Sequence, residues 1–231
     1  MSIAQALADV RRRIADVAEA SGRDAESVRL IAVSKTQPAA AVREAYAAGQ
    51  RDFGENYVQE LLQKAEELRE LRDLRWHFIG HLQRNKAKQV APLASLVHTI
   101  DGLELARELA KRVAALGPER RLPVLVEVSI AGEEQKHGAA PQDLAELFQG
   151  IEQLPQLWLR GLMCVPPLTE DAAGARPHFD ALSRLREQHG GAPRLPELSM
   201  GMTHDLEHAV AAGATLVRVG TAIFGARAPR P

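Results

Sequence analysis

Residues 30–38 read Leu30-Ile31-Ala32-Val33-Ser34-Lys35-Thr36-Gln37-Pro38, and they show for the first time the pattern that decides the fold, an apolar strand followed by a polar turn. The apolar run is typical of a buried strand, and the polar residues ending in Pro38 mark where the extended pattern stops. Lys35 therefore lies at the tip of a predicted strand. Only six of the 29 basic residues are lysines. Arginine keeps its proton, whereas a desolvated lysine can act as an amine nucleophile, so this position indicates imine chemistry with a bound carbonyl compound.

The same unit of strand followed by helix recurs along the rest of the chain. The predicted strands cover residues 29–34, 51–53, 75–79, 96–100, 123–129, 157–165, 197–200 and 215–219. The predicted helices lie near residues 38–48, 55–72, 82–91, 102–116, 141–153, 173–189 and 204–212. Eight strands that alternate with helices in 231 residues predict an α/β protein, a single (β/α)8 TIM barrel. An open doubly wound sheet is the alternative, but the first strand lacks the glycine-rich turn that usually follows it there.

Composition narrows the classes of partner. A net charge of −1 gives no electrostatic reason to expect nucleic acid or an anionic membrane as a partner. The single cysteine, Cys164, excludes an internal disulfide and fits a reducing cytoplasm. No apolar stretch approaches the roughly 20 residues that a membrane span needs. We therefore expect a cytoplasmic protein without a membrane or nucleic-acid partner.

The first 24 residues are predicted to form an extra N-terminal helix packed on the main body. Their apolar residues recur at helical spacing on one face, at Ile3, Leu7, Val10, Ile14 and Val17. Acidic residues on the other faces argue against a targeting peptide.

Polar residues and glycines follow the predicted strands. In a barrel of this kind the functional face is formed by the carboxyl ends of the strands. The residues at these ends are Lys35, Gly54-Glu55-Asn56, Gly80-His81, Asp101, Ser129, Met163-Cys164, Ser199-Met200-Gly201-Met202-Thr203 and Gly220-Thr221. Loop polarity alone accounts for Asp101 and Ser129, and packing is the simplest role for Met163 and Cys164, although Met163 is also placed to touch a ligand ring.

The loops after the seventh and eighth strands predict a phosphate site. These two loops are the usual phosphate cradle of the fold, where backbone N–H groups face the anion. Here the first loop runs from Ser199 to Thr203 and the second from Gly220 to Gly225. Their glycines permit close approach, and their hydroxyl groups add donors.

Arg218 is the second informative residue. It alternates with Leu216 and Gly220, so these three residues share one face of the last strand. An inward face would place a guanidinium inside the barrel, where a charge is costly unless it is paired. The alternative is an outward Arg218 in a surface salt bridge; its neighbour Gly220 favours the inward orientation.

Several of these segments together carry a resemblance to a known family. They are Ala32-Val33-Ser34-Lys35-Thr36, Phe53-Gly54-Glu55-Asn56-Tyr57-Val58-Gln59-Glu60, Trp76-His77-Phe78-Ile79-Gly80-His81-Leu82-Gln83-Arg84-Asn85-Lys86, His98-Thr99-Ile100-Asp101, Leu198-Ser199-Met200-Gly201-Met202-Thr203-His204-Asp205 and Val217-Arg218-Val219-Gly220-Thr221-Ala222-Ile223-Phe224-Gly225. From about Arg29 to Arg227 the chain closely resembles the pyridoxal phosphate homeostasis proteins, a family also called YggS/PROSC.

The resemblance implies a fold, a cofactor and a set of binding residues. It implies a single barrel domain over residues 1–231, like the N-terminal domain of alanine racemases, with pyridoxal 5'-phosphate (PLP) held as a Schiff base by Lys35. It also implies Asn56 near the imine and Arg218 at the pyridine nitrogen. The predicted cofactor-binding residues in the two phosphate loops are Ser199, Met200, Gly201, Gly220 and Thr221. No catalytic residue and no metal ligand is predicted.

Arg218 also bears on whether the chain is an enzyme. Arginine does not give up its proton, so it would donate to an unprotonated pyridine nitrogen and leave PLP a weak electron sink. Alanine racemases take a second base, a tyrosine, from an additional β domain, whereas this chain ends soon after its last strand and has only Tyr46 and Tyr57. The prediction is a monomeric, non-enzymatic carrier that holds PLP and releases it to apo-PLP-dependent enzymes. A slow PLP-dependent racemase is the first alternative, and a cofactor-free Schiff-base aldolase is a more distant one.

Three further motifs have plainer interpretations. The segment His204-Asp205-Leu206-Glu207-His208 matches an inverted zinc-protease pattern, but no acidic residue or histidine follows it, so it is interpreted as the opening of a helix. The run Arg11-Arg12-Arg13 is interpreted as a solvated charge run. The segment Asn85-Lys86-Ala87-Lys88 is expected to be exposed, with a secondary phosphate spot as its alternative role.

Overall fold

Eight parallel strands close into one barrel in chain order. The computed structural model describes residues 1–131, 137–167, 169 and 171–225; Lys136 and Arg227 lie outside these residues. The strands are β1 (Arg29–Val33), β2 (Asp52–Glu55), β3 (Arg75–Phe78), β4 (Ala94–Ile100), β5 (Leu122–Glu127), β6 (Leu157–Met163), β7 (Glu197–Ser199) and β8 (Leu216–Val219). Each pairs in parallel with its neighbours, and β8 pairs with β1. The predicted (β/α)8 barrel is confirmed, and the open sheet is excluded.

The helices surround this barrel. They are α1 (Ile3–Ala20), α2 (Ala39–Ala47), α3 (Val58–Glu67), α4 (Ala87–Val90), α5 (Leu103–Ala114), α6 (Leu144–Glu152), α7 (Arg176–Gln188), α8 (Gly191–Arg194), α9 (Leu206–Ala211) and α10 (Thr221–Phe224). None of the helices in the described ranges is both long enough and apolar enough to cross a bilayer.

The structure corrects the predicted start of α3 and the length of α4. Glu55 belongs to β2, where it pairs with Phe78, so α3 begins at Val58 instead of residue 55. The predicted helix over residues 82–91 is reduced to a 3-10 turn, Arg84–Lys86, and the single turn of α4. The short helices α8 and α10 were not predicted, because elements of four residues carry too few positions to show a period.

The core has two separate parts. Most buried apolar residues lie between the sheet and the surrounding helices. A smaller apolar cluster consists of Ile31, Leu96, Leu125, Met163 and Leu216. These residues come from five different strands, as expected for side chains that fill the inside of a barrel. Because Leu216 belongs to this inner cluster, alternate residues on β8 also face the interior.

The N-terminal helix α1 packs against the outside of the barrel. Ser2 caps it by accepting a hydrogen bond from the backbone N–H of Gln5 at 3.2 Å. Its buried face consists of Ala6, Leu7, Val10, Ile14 and Ala18, and it contacts α2, α9 and α10. The helix is shorter than the predicted residues 1–24.

The arginine run on α1 is not simply solvated. Arg11 donates to Gln50 Oε1 at 3.0 Å, and Arg13 donates to Glu207 Oε1 at 2.7 Å and to the Thr203 carbonyl oxygen at 3.2 Å. Arg11 and Arg12 are exposed, as predicted, whereas Arg13 is half-buried and the prediction was wrong for it, because packing brings its side chain onto acceptors from a distant part of the chain. Arg13 thereby joins α1 to the loop that follows β7.

Candidate functional site

Lys35 lies in the turn that follows β1, and its residue is half-buried. The next residue, Thr36, has a φ of 65°, in the left-handed region that a β-branched residue adopts only when its surroundings hold it there. The Thr36 N–H donates to Glu60 Oε2 at 2.6 Å, and the Gln37 N–H donates to the Ser34 carbonyl oxygen at 3.0 Å. The predicted nucleophile therefore lies in an ordered turn at the carboxyl end of its strand.

A buried ionic cluster supports this turn; we call Lys64, Glu55, Glu60 and Ser34 the Lys64 cluster. Lys64 Nζ on α3 lies 2.7 Å from the Ser34 carbonyl oxygen, 2.7 Å from Glu55 Oε1 and 3.0 Å from Glu60 Oε2. The Ser34 hydroxyl also donates to Glu55 Oε1, at 2.6 Å. Burial raises the pKa of Glu55, and the Lys64 charge opposes that rise. The residues on both sides of Lys35 are thus tied to one group of charges.

The sequence carried a signal for Lys64 that we did not use. Lys64 lies three residues after Leu61 and four before Leu68, and both leucines are fully or almost fully buried. On a helix these three positions share one face, so a lysine there has to be buried with them. Its burial predicts a carboxylate partner.

Arg218 points into the barrel, as the inward alternative predicted. Its residue is 4% exposed, its Nη1 donates to Ser199 Oγ at 2.6 Å and its Nη2 donates to the Cys164 carbonyl oxygen at 2.9 Å. Burial lowers the pKa of Arg218, against the charges of Glu127 and Asp205. Among the described residues, however, no carboxylate lies at ion-pair distance from the guanidinium. It is a buried cation with neutral hydrogen-bond partners.

The loop after β7 is shaped by a glycine. Gly201 has a φ of 90°, and a Cβ added there would lie 2.4 Å from the Cβ of Ala209. Only glycine fits this position without a shift of α9. The next N–H, that of Met202, donates to Asp205 Oδ1 at 2.6 Å, which orders the start of the helix.

The loops after β7 and β8 contact each other and the end of β1. The Ala222 N–H donates to Thr203 Oγ1 at 3.4 Å and so joins the two loops. A Cβ added at Gly220 would lie 3.1 Å from the Val33 carbonyl oxygen, so this glycine lets β8 approach β1 closely. Thr221 is exposed. The two predicted phosphate loops are therefore neighbours of the turn that carries Lys35.

Ser199 and Met200 are both buried, with partners of different kinds. The Ser199 hydroxyl is bonded to His98 Nδ1 at 2.8 Å as well as to Arg218. Met200 is fully buried, and its N–H donates to the Leu216 carbonyl oxygen at 3.1 Å. A phosphate contact from either residue stays a prediction, since the Ser199 side chain bonds within the barrel and the Met200 side chain packs in the apolar core between the sheet and the helices.

Asn56 and a neighbouring cavity complete the rim. Asn56 Oδ1 is buried and has no hydrogen-bond partner among the described residues. Gly80 packs against its backbone so closely that an added Cβ would lie 2.1 Å from the Asn56 carbonyl oxygen. A cavity of about 300 Å³ opens beside them and reaches Glu127; Lys35 and Arg218 do not line it. An unpartnered buried acceptor in such a cavity is typical of a ligand site.

Glu127, at the end of β5, is a rim residue that sequence reasoning missed. Burial raises its pKa to about 7, with the charge of Arg218 opposing the rise and that of Asp101 adding to it. The signal was a single carboxyl group within the otherwise apolar run from Val124 to Val128. A carboxyl group that titrates near neutrality inside a cavity is a candidate for proton transfer.

The segment resembling a zinc site is a helix opening, as predicted. Glu207 is paired with Arg13, and α9 begins at Leu206. Within the described residues, three potential metal ligands gather elsewhere: His81, Asp101 and His137, whose ligand atoms lie within 4.8 Å of one another. The two histidine rings are stacked, with centroids 3.6 Å apart and planes 12° apart. Stacked rings direct their lone pairs in parallel, so we assign no ion to them.

The remaining motifs lie largely as expected. In the segment expected to be exposed, Asn85 and Lys88 are exposed, whereas Lys86 is half-buried and Ala87, at the start of α4, is fully buried; Met163 and Cys164 are buried, as expected. Burial raises the pKa of the Cys164 thiol to about 12, which keeps it inert at neutral pH.

Comparisons with known proteins agree with this geometry. The family model for the alanine racemase N-terminal domain matches residues 6–228. The pyridoxal phosphate homeostasis protein of Pseudomonas aeruginosa is 49% identical over 227 residues, covering 98% of this chain and 96% of that protein. The chain belongs to the pyridoxal phosphate homeostasis protein family.

Solved structures place this family among the barrels. PipY of Synechococcus elongatus with PLP bound is 42% identical, with a TM-score of 0.82, covering 97% of this chain and 100% of PipY. The alanine racemase of Corynebacterium glutamicum is 15% identical, with a TM-score of 0.67, covering 95% of this chain and 60% of the racemase. The second similarity shows that the homeostasis family and the racemase share the barrel fold.

Proposed function

We propose that this protein binds pyridoxal 5'-phosphate at the rim formed by Lys35, Asn56, Arg218 and the loops after β7 and β8. Its role is to hold the cofactor as a Schiff base on Lys35 and to release it to apo-PLP-dependent enzymes. Relatives named for PLP homeostasis and the PLP-bound PipY structure support the cofactor. We also propose that residues 1–231 act as one domain and as a cytoplasmic monomer.

The observation that carries the proposal is the environment of Arg218. This buried cation lies on β8, next to the strand that leads to Lys35, and Ile31 of β1 is its partner in register. Its bonds to Ser199 and Cys164 are to neutral groups, and those two bonds use two of the five N–H donors of a guanidinium. A pyridine nitrogen is an acceptor without charge, which suits a donor that keeps its own proton.

The other predicted residues fit the same cofactor. A Schiff base forms when the Lys35 amine replaces the aldehyde oxygen of PLP, with loss of one water molecule. Asn56 Oδ1, unpartnered among the described residues, lies on the rim beside Gly80 and is available to a donor of the ligand. The loop residues Gly201, Gly220 and Thr221 would surround the phosphate, with Ser199 and Met200 supporting them.

Storage is favoured over catalysis by the same residues. Bound PLP supplies an electron sink for reactions of amino acids, and the protein tunes its strength through the partner of the ring nitrogen. Arg218 donates and stays charged, so it would leave the sink weak. The Tyr46 hydroxyl donates to Asp73, and the guanidinium of Arg51 lies over the Tyr46 ring. Since Arg51 directly precedes β2, Tyr46 lies at the amino-terminal end of the barrel. Tyr57 lies at the rim but is 45% exposed.

A slow amino-acid racemase is the second candidate, and Glu127 is the observation that favours it. Its carboxyl group titrates near neutrality and lines the rim cavity, so it is a possible base. Holoprotein mixed with individual L-amino acids in D2O tests this function through exchange of the α-proton. We expect negligible exchange. Rapid exchange that disappears in Glu127→Gln would establish the racemase instead.

Borohydride trapping tests the carrier function directly. Purified protein mixed with PLP should show visible absorbance, and reduction should attach the pyridoxyl group to the peptide that contains Lys35. Lys35→Ala should lose both signals, whereas Lys111→Ala, at an exposed position on α5, should keep them. Trapping that persists in Lys35→Ala would contradict the assignment. Transfer to an apo-PLP enzyme should also be faster than spontaneous release, and light scattering should give the 25.2 kDa mass of one chain.

A further inference from the structure

We propose that His77 and His98 are positioning residues for Arg218, and that they act through a directional chain of hydrogen bonds across the barrel interior. We call the residues Asp52, His77, His98, Ser199 and Arg218 the interior chain. Its effect on the cofactor rests on the proposed function, whereas its existence and direction do not.

The interior chain is continuous and buried. His77 Nε2 lies 2.9 Å from Asp52 Oδ1, His77 Nδ1 lies 2.9 Å from His98 Nε2, and His98 Nδ1 lies 2.8 Å from Ser199 Oγ. Arg218 Nη1 then donates to Ser199 Oγ at 2.6 Å. Every member is at most 4% exposed. The chain thus runs from the start of β2, at the amino-terminal end of the barrel, to the rim beside Lys35.

The two ends of the chain determine the direction of every bond between them. Asp52 also accepts two bonds from Arg75, at 2.8 and 2.6 Å, so it is an ionised acceptor and His77 Nε2 carries a proton. A neutral His77 then accepts at Nδ1, which requires a proton on His98 Nε2. His98 in turn accepts at Nδ1 from the Ser199 hydroxyl, which leaves a lone pair of Ser199 facing Arg218.

Protonation energetics agree with neutral histidines. Burial lowers the pKa of His77, although Asp52 opposes this, and burial lowers the pKa of His98 strongly, with the charge of Arg218 acting in the same direction. Burial alone would raise the pKa of Asp52, but its bonds from His77 and Arg75 bring it below the ordinary value. Both rings therefore stay neutral, and the direction holds across the physiological pH range.

The chain leaves these histidines little scope for other roles. Both nitrogens of each ring already take part in a hydrogen bond of 2.9 Å or less, so neither ring offers a free lone pair to a metal ion. The Ser199 hydroxyl is likewise engaged by His98 and Arg218, so it has no proton left to donate to a phosphate. What the chain provides is a fixed acceptor for Arg218 Nη1. The Cys164 carbonyl oxygen holds Nη2, and the two acceptors together orient the guanidinium plane.

Because the hydrogen bonds of the interior chain share one direction, a change at Asp52 should affect Arg218 at the rim. In Asp52→Asn, the side-chain amide N–H2 can donate to His77. That donation would reverse the direction of every hydrogen bond from His77 to Ser199. The Ser199 oxygen would then face two donors, His98 Nδ1–H and Arg218 Nη1. The Asp52→Asn change would therefore disturb Arg218 from four hydrogen bonds away.

The first experiment needs neither a variant nor the cofactor. Protein with 15N-labelled histidine, free of PLP, is observed by two-bond 1H–15N correlation NMR between pH 6 and pH 8. We expect two histidines that keep a protonated Nε2 and an unprotonated Nδ1 throughout this range. A positively charged ring or an Nδ1–H tautomer at His77 or His98 would refute the interior chain, whether or not the protein binds PLP.

The second experiment measures what the chain does to bound PLP. Ser199→Ala removes the acceptor for Arg218, and we expect PLP release to accelerate by roughly 5-fold, the effect of about one net hydrogen bond. The pH dependence of the bound chromophore should also shift. Ser199→Thr keeps the hydroxyl and should restore both properties. Asp52→Asn should resemble Ser199→Ala, whereas Asp73→Asn, at an exposed ion pair, should resemble the parent.

The outcomes separate the two proposals. Parent-like release and pH dependence in both Ser199→Ala and Asp52→Asn would refute the positioning role. If the parent protein shows the expected histidine tautomers but borohydride traps no PLP on Lys35, the proposed function is refuted and the interior chain is not.

Discussion

Two buried polar networks lie next to the candidate site, and they accommodate buried polar groups in opposite ways. The Lys64 cluster, beside Lys35, brings together one ammonium and two carboxylates. The interior chain, which ends at Arg218, connects neutral groups over most of its length and has charges only at its ends, on Asp52 and Arg218. Both networks hold a residue that we propose to bind the cofactor.

The difference follows from access to solvent. The Glu60 side chain of the Lys64 cluster is 27% exposed, so water shares the cost of its charge. At the start of the interior chain, Arg75, whose side chain is 52% exposed, plays the same part for Asp52. The middle of the barrel has no such access, and an unpaired charge there would be very costly. Tautomeric histidines carry the connection across it without any charge.

Breaking the Lys64 cluster should have the largest effect on stability. Lys64→Met leaves Glu55 buried without its cation, and we expect a loss of about 3–5 kcal/mol in the free energy of unfolding. Urea denaturation measures it, with Lys111→Met on the exposed face of α5 as the control. Glu55→Gln added to Lys64→Met should recover part of the loss. A loss below about 1 kcal/mol would mean that Glu55 is already neutral in the folded protein.

The protonation of Glu127 shows whether the rim near Arg218 favours neutral groups, as the middle of the interior chain does. Its folded pKa of about 7 lies above the ordinary value of 4.5, so the folded protein binds this proton more tightly than the unfolded chain. The resulting stability is complete below pH 4.5 and is lost as the pH rises through 7. The whole effect is on the order of 3 kcal/mol.

Thermal unfolding of the parent and Glu127→Gln between pH 4 and pH 8.5 measures this effect. The variant should lack this component of the pH dependence, and it should gain in melting temperature relative to the parent at pH 8. Parallel curves for the two proteins would show that Glu127 titrates in the folded protein as it does in water.

Breaking the interior chain should cost less than breaking the Lys64 cluster. Ser199→Ala leaves one donor of Arg218 and one acceptor of His98 without their partner, and we expect a loss of about 1–3 kcal/mol. Urea denaturation of Ser199→Ala beside Ser199→Thr isolates the hydroxyl group. A loss equal to that of Lys64→Met would indicate that His98 carries a charge in the folded protein.

The partly exposed member of the Lys64 cluster should contribute least. Glu60→Gln keeps an acceptor for the Thr36 N–H and removes only a charge that water screens, so we expect a loss of about 0.2–1 kcal/mol. Raising the salt concentration should reduce the difference between this variant and the parent. A larger loss that salt does not change would place Glu60 among the fully buried ions.

Much of the fold was visible in the sequence because strand and helix periods are local properties. All eight predicted strands are present, and Lys35 lies at the tip of the first, as expected. Lys64 and Glu127 escaped prediction although each had a local signal, a charge within an apolar face. The partners that make those charges tolerable come from other elements, and one sequence does not show which elements meet.

By itself, the sequence determined the barrel, the lysine at the tip of β1, the glycines that let two loops approach it, and the family to which the chain belongs. Only the tertiary structure decided that Arg218 faces inward, that Ser199 bonds Arg218 and His98, and that His77 and His98 connect opposite ends of the barrel. The physical reason is that period and turn chemistry act between neighbours in the chain. Hydrogen-bond direction and protonation depend instead on groups such as Asp52 and Ser199, which only barrel closure brings together.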